Sequence, residues 1–221
     1  MHLADGIVNA PTSILYGFVA IAGLALALRR ARADLDERTA PMAGLVAAFV
    51  FAVQMINFPI LPGVSGHLLG GALVAILVGP WVGALCVAIV LVVQALLFAD
   101  GGVSALGASI TNMALVGVAA GFLVAMALRR VATRGPAGLA LVAFVSALVN
   151  VVVAAGSFVV QYAIGGDAGI GLAEVTGVML GLHALIGVGE GVITALTVGA
   201  VARVRPDLVY LLRRSRSEVA A

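Results

Sequence analysis

The residues best equipped for chemistry are the three histidines, His2, His67 and His183, and the first of them stands beside the chain terminus. A large residue at position 2 hinders removal of the initiator methionine, so the mature chain is expected to begin Met1-His2. The Met1 amine, the His2 main-chain nitrogen and the His2 ring nitrogen can then close two fused chelate rings around one ion. These donors lie near one plane and leave a fourth equatorial position open. Planar nitrogen donation is the geometry of Ni²⁺ or Cu²⁺. His67 can supply the fourth nitrogen if it lies on the same face. Spacing alone leaves a plainer reading open, in which His2 is a solvated terminus and His67, following Gly66, is an interfacial residue.

The elements that must position these groups are membrane helices. The chain is 63% hydrophobic and only 10% charged, against roughly 45–50% and about 25% in soluble domains. A bilayer-spanning helix needs about 20 predominantly apolar residues, and the runs here are continuous rather than alternating, which argues against a β-barrel. The sequence predicts an all-α integral membrane protein with seven spans: 12–28, 42–58, 66–78, 82–98, 107–128, 137–164 and 175–202. It reads as a single membrane domain over 1–221. Residues 1–11 form an extracytoplasmic N-terminal segment, 12–202 the helix bundle and 203–221 an Arg-rich cytoplasmic tail.

Charge orients the bundle. All 12 basic residues are arginines. Arg29, Arg30, Arg32 and Arg38 separate the first two spans, Arg129, Arg130 and Arg134 separate the fifth and sixth, and Arg203, Arg205, Arg213, Arg214 and Arg216 follow the last. With seven crossings every arginine falls on one side, and basic loops mark the cytoplasm. The N-terminus is therefore expected outside, with His2 and His67 on the outer face. A cleaved signal peptide fits poorly, because positive charge should precede its apolar run and here Asp5 does. The chain has no lysine, which excludes a P-loop lysine or a Schiff base within it. Active transport would need ATP hydrolysis by a partner, or an ion gradient. The lone Cys86 reads as a small buried hydrophobe.

The remaining polar residues inside the spans need partners. Glu190 lies mid-span, where a carboxylate costs about 2.5–3.5 kcal/mol on insertion scales. His183 sits two turns away on the same face, and both admit structural as well as metal-path roles. Asp5 and Asp100 read as loop residues near a mouth, able to attract cations. Asn57, Gln94 and Asn112 read as interhelical ties. Small-xxx-small pairs at Gly66/Gly70, Gly117/Gly121, Gly177/Gly181 and Gly187/Gly191 signal close helix packing.

Several motifs carry a resemblance that covers nearly the whole chain in order. The opening Met1-His2-Leu3-Ala4-Asp5-Gly6 resembles the start of the CbiM/NikM family, the substrate-specific components of energy-coupling-factor transporters for cobalt and nickel. Gly63-Val64-Ser65-Gly66-His67-Leu68-Leu69-Gly70-Gly71 is similar to that family's central histidine motif. Similar too are Gly79-Pro80-Trp81, the run from Gln94 to Gly102, Leu106-Gly107-Ala108, and His183-Ala184-Leu185-Ile186-Gly187 followed by Glu190. The resemblance implies seven spans with the N-terminus outside. It also implies a metal site made from the Met1 amine, the His2 main-chain and ring nitrogens and the His67 ring. Ser109 departs from the family, which often has Asn there; Asp5, Ser109, Asn112, His183 and Glu190 are the supporting or pathway candidates.

The implied function is prokaryotic cell-membrane import of Ni²⁺ or Co²⁺, for metalloenzymes or cobalamin synthesis, by a subunit that is not itself an enzyme. The ion is substrate, and no prosthetic group is expected. The implied partners are a CbiQ-type coupling protein, a CbiO-type ATPase and a small CbiN or NikN membrane protein, all in the lipid bilayer or against it, with no nucleic acid. Two rivals predict different behaviour. A vitamin-binding component of the same transporter type would have no use for a free N-terminus. An intramembrane enzyme built on Glu190 and His183 would turn over without partners, although the chain has no His-Glu-x-x-His motif.

Overall fold

In the computed structural model, which describes residues 1–37 and 39–213, the apolar runs fold into helices α1 (Ala10–Ala31), α2 (Thr39–Gln54), α3 (Gly71–Val78), α4 (Pro80–Leu97), α5 (Leu106–Ala127), α6 (Pro136–Gly165) and α7 (Leu172–Val204). Arg38, Arg214 and Arg216 of the predicted basic clusters lie outside the described residues. The helices begin where local chemistry allows. Asn9 caps α1, its side-chain oxygen accepting from the Thr12 amide at 3.0 Å. Proline opens α4 and α6, where its missing N–H is no loss. A π-helical stretch, Thr111–Gly117, interrupts the middle of α5.

Five helices, α1 and α4 to α7, are long and apolar enough to cross a membrane. At about 1.5 Å per residue, the 30 residues of α6 and the 33 of α7 exceed the roughly 30 Å hydrocarbon core. Their outward faces carry exposed Ile14, Phe18 and Ile21 on α1 and Leu185, Val192 and Leu196 on α7. Exposed apolar rows on helices whose main-chain groups are internally satisfied fit a lipid surround. Helix α2, at 16 residues, is shorter. Helices α6 and α7 form the longest packed pair, and side chains at Gly187 or Gly191 would collide with Leu148 or Phe144 of α6.

The predicted third span, 66–78, is a composite. It starts as a two-stranded antiparallel hairpin, β1 (Phe58–Leu61) and β2 (Val64–Gly66), passes through irregular chain at 67–70 and ends as the eight-residue α3. Gly70 has a φ of +79°, a left-handed turn that favours glycine. That turn, and the strand pairing before it, stop the helix from extending back to Gly66. Every residue of α3 is buried.

The arginine-bearing connections gather at one end. The Arg129 guanidinium donates to the carbonyls of Leu211 and Arg213 at 3.1 and 2.6 Å. Arg213 in turn reaches the Thr39 hydroxyl at the start of α2, at 3.3 Å. Tyr210 packs against Gly79, so the α3–α4 corner shares that end. The hairpin, the N-terminal segment and the 98–105 loop occupy the opposite end.

Candidate metal centre

The first residues of the chain form a strand laid against the hairpin. Leu3 pairs with Val64 in an antiparallel bridge. The Ala4 amide donates to the Gly63 carbonyl at 2.8 Å, and the Ser65 amide to the His2 carbonyl at 3.2 Å. Two other loops complete the clamp. The Gly102 amide donates to the Leu3 carbonyl at 2.7 Å, while Asp167 and Asn9 tie the segment to the end of α6. The terminus is thereby drawn into the protein, with Met1 and Leu3 0% exposed and His2 4% exposed.

This strand delivers Met1 and His2 to His67. The Met1 amine lies against His67 Nε2 in the buried interior. The His2 and His67 rings stack with centroids 4.5 Å apart and planes 28° from parallel. His67 Nδ1 donates to the Leu68 carbonyl at 2.7 Å, which fixes the tautomer and leaves Nε2 with a lone pair facing the amine. His2 Nε2 lies 3.6 Å from Asp100 Oδ2, beyond hydrogen-bond length but with the carboxylate on the ring's outer side. A carboxylate there favours a proton on Nε2 and a lone pair on Nδ1, the atom a chelate with the amine needs. Burial pushes the His2 imidazole down to about 4, so the ring is neutral at physiological pH and available as a donor.

An open cavity of about 590 Å³ leads from His2 past Asp5, Asn57 and Asp100. The Ser104 hydroxyl and amide donate to Asp5 at 2.5 and 2.8 Å and hold its carboxyl below the usual range. Asp100 is pushed up by burial and drawn back by Asn57, whose amide donates to it at 2.7 Å. Two carboxylates thus line the approach to His2, a favourable path for a cation. Among the described residues no group of three or more His, Cys, Asp or Glu side chains is placed to hold a metal. A donor set of Met1, His2 and His67 would instead draw two of its nitrogens from the main chain.

The supporting candidates divide. Asp5 and Asp100 line the mouth. His183 is buried on α7, its Nδ1 donating to the Met179 carbonyl at 2.8 Å while Nε2 has no partner. Glu190 accepts from the amides of Leu69 and Gly70 and from Asn150. Asn112 lies away from the histidines. It donates to Gln161 at 2.8 Å and accepts from Ser157 at 2.7 Å, an α5–α6 tie of the kind expected. Ser109 is buried in α5, and the hydroxyl that holds the N-terminal segment belongs to Ser104. Ser104 and Gln54 stand outside the expected residues, and Asn57, expected as an interhelical tie, braces Asp100 instead. The cue for Ser104 was its place just after Gly101-Gly102; Gln54 gave none beyond being polar at the end of an apolar run.

Known proteins resemble this chain over most of its length. A provisionally named fused nickel transport protein NikMN of Archaeoglobus fulgidus is 40% identical over 95% of this chain and 68% of its own. A provisionally named metal transport protein of Haloquadratum walsbyi is 38% identical over 95% of this chain and 94% of its own. The crystal structure of a transition metal transporter superposes with a TM-score of 0.80 at 27% identity, covering 92% of this chain and 93% of that one. The sequence profile of CbiM, the cobalt uptake substrate-specific transmembrane region, matches residues 2–208. This chain, a multi-pass membrane protein for cobalt or nickel transport in prokaryotes, therefore belongs to the CbiM family.

Proposed function

We propose that this chain is the substrate-binding membrane subunit of an ATP-driven, energy-coupling-factor importer of Ni²⁺ or Co²⁺. The observation that carries the reading is the burial of the N-terminal amine against His67 Nε2, with the His2 ring stacked beside it. A buried amine needs a partner, and His67 Nε2 meets it either directly or by sharing a metal ion with it. As metal ligands, the Met1 amine, the deprotonated His2 amide nitrogen, His2 Nδ1 and His67 Nε2 form a four-nitrogen set. Such a set suits Ni²⁺ when planar, which favours nickel over cobalt.

We count seven crossings, with the hairpin, residues 67–70 and α3 together as the third. The gathering of Arg129, Arg213 and the α1–α2 connection at one end supports this count, and the positive-inside rule makes that end cytoplasmic. The metal centre then faces outside, where uptake begins. The chain has no lysine and so no P-loop lysine of its own; in this reading a CbiO-type partner hydrolyses ATP and a CbiQ-type partner couples that hydrolysis to transport. The longer NikMN relative supports a small N-type membrane partner.

The test is uptake of radiolabelled Ni²⁺ and Co²⁺ by cells making this chain with its coupling protein and ATPase. His67→Ala is expected to reduce uptake to the level of cells lacking the chain. Uptake that survives this substitution would reject the site.

A further inference from the structure

Glu190 sits on α7, 123 residues after His67 in sequence, yet its carboxylate ends beneath the His67 loop. Oε2 accepts from the Leu69 amide at 2.5 Å and Oε1 from the Gly70 amide at 3.1 Å. Asn150 on α6 donates to the same Oε1 at 2.8 Å. Glu190 is 2% exposed and Asn150 0% exposed, so water does not compete for these bonds. The opposite side of the loop is held by Gln54, which donates to the Leu69 carbonyl at 2.7 Å. The next peptide back carries the Leu68 carbonyl that accepts from His67 Nδ1 at 2.7 Å. A continuous chain of bonds therefore runs from α7, through the amides of Leu69 and Gly70 and the Leu68 carbonyl, to the imidazole whose Nε2 meets the Met1 amine.

We propose that Glu190 is a positioning residue for the metal centre: it fixes the peptide at 68–70 and so aims His67 Nε2. The loop needs such an anchor because it is not helical, contains the left-handed Gly70 and has no side chain of its own capping α3. This role rests on the reading of Met1, His2 and His67 as the metal ligands. It requires no contact between Glu190 and the ion.

The experiment uses purified full-length protein with its native terminus. Ni²⁺ affinity is measured by competition with a chelator, and the visible absorption band of bound Ni²⁺ reports the geometry of the nitrogen set. Glu190→Gln keeps the shape but turns an N–H donor toward a main-chain N–H. Affinity is expected to fall on the order of 10–100-fold, as for other groups that orient a metal ligand, and the band is expected to shift. A merely structural role would lower the unfolding temperature of the metal-free protein and leave the band unmoved. Unchanged affinity and band in Glu190→Gln would overturn the proposal even though the wild-type protein binds Ni²⁺. Should that variant fail to fold, Asn150→Ala frees one side of the carboxylate and is expected to shift the band in the same direction with a several-fold loss. No change there overturns the proposal equally. If the wild-type protein binds neither Ni²⁺ nor Co²⁺, the metal-centre reading fails first and the positioning role falls with it.

Discussion

Gly102→Ala probes how tightly the N-terminal strand must be held for the metal to bind. Gly102 donates its amide to the Leu3 carbonyl at 2.7 Å, and a Cβ there would run into the Asp5 main-chain nitrogen and carboxyl. The carboxyl could swing aside, but the main-chain nitrogen moves only with the strand. Overpacking of this kind costs about 1–3 kcal/mol, and the weakened hydrogen bond about 0.5–1.5 kcal/mol more. The sum, about 1.5–4.5 kcal/mol, falls on the segment that carries two of the proposed donor nitrogens and the His2 ring. At one decade per about 1.4 kcal/mol, Ni²⁺ affinity should fall on the order of ten- to a thousand-fold. Calorimetric titration of the purified protein measures it, with Gly44→Ala, which has nothing within 4 Å of the added methyl, as the control. Affinity of Gly102→Ala within twofold of the wild type would refute the claim that the clamp positions the chelate.

Two further outcomes follow from the same geometry. Ligation by a deprotonated main-chain amide makes binding release at least one proton per ion. Calorimetry in buffers of different ionisation enthalpy counts them, and a count near zero would exclude the main-chain ligands. Asn112→Leu should lower stability by about 1–3 kcal/mol, since it strands the buried Gln161 and the half-buried Ser157 groups, yet leave metal affinity unchanged; a large affinity loss would place α5 in the site.

Much of this was legible in the sequence because the signals were local. The apolar runs and the arginine clusters each declare themselves within a few residues, and the helices α4, α6 and α7 begin and end close to the predicted limits. The meeting of His2 with His67 was also foreseeable, since charge alone assigned both to one face. What could not be read were the partnerships made across the chain. Asn57 bracing Asp100, Ser104 holding Asp5 and Glu190 holding Leu69 join residues 43, 99 and 121 positions apart. The composite character of residues 66–78 was hidden for a different reason. Residues 66–78 have the hydropathy of a helix, and only the left-handed Gly70 and the strand pairing of β2 decide otherwise. Hydropathy reports burial, not backbone conformation, so the hairpin and the π-helical stretch of α5 left no periodic trace.

The most direct test of the central claim is Ni²⁺ and Co²⁺ binding by the native protein beside a form extended by one alanine before Met1. Extension converts the buried amine that faces His67 into an amide and leaves every side chain in place. Loss of binding in the extended form, with the native form binding, is the predicted result. Equal binding by both forms would contradict the terminal chelate and move the search to His67, His183 and Glu190.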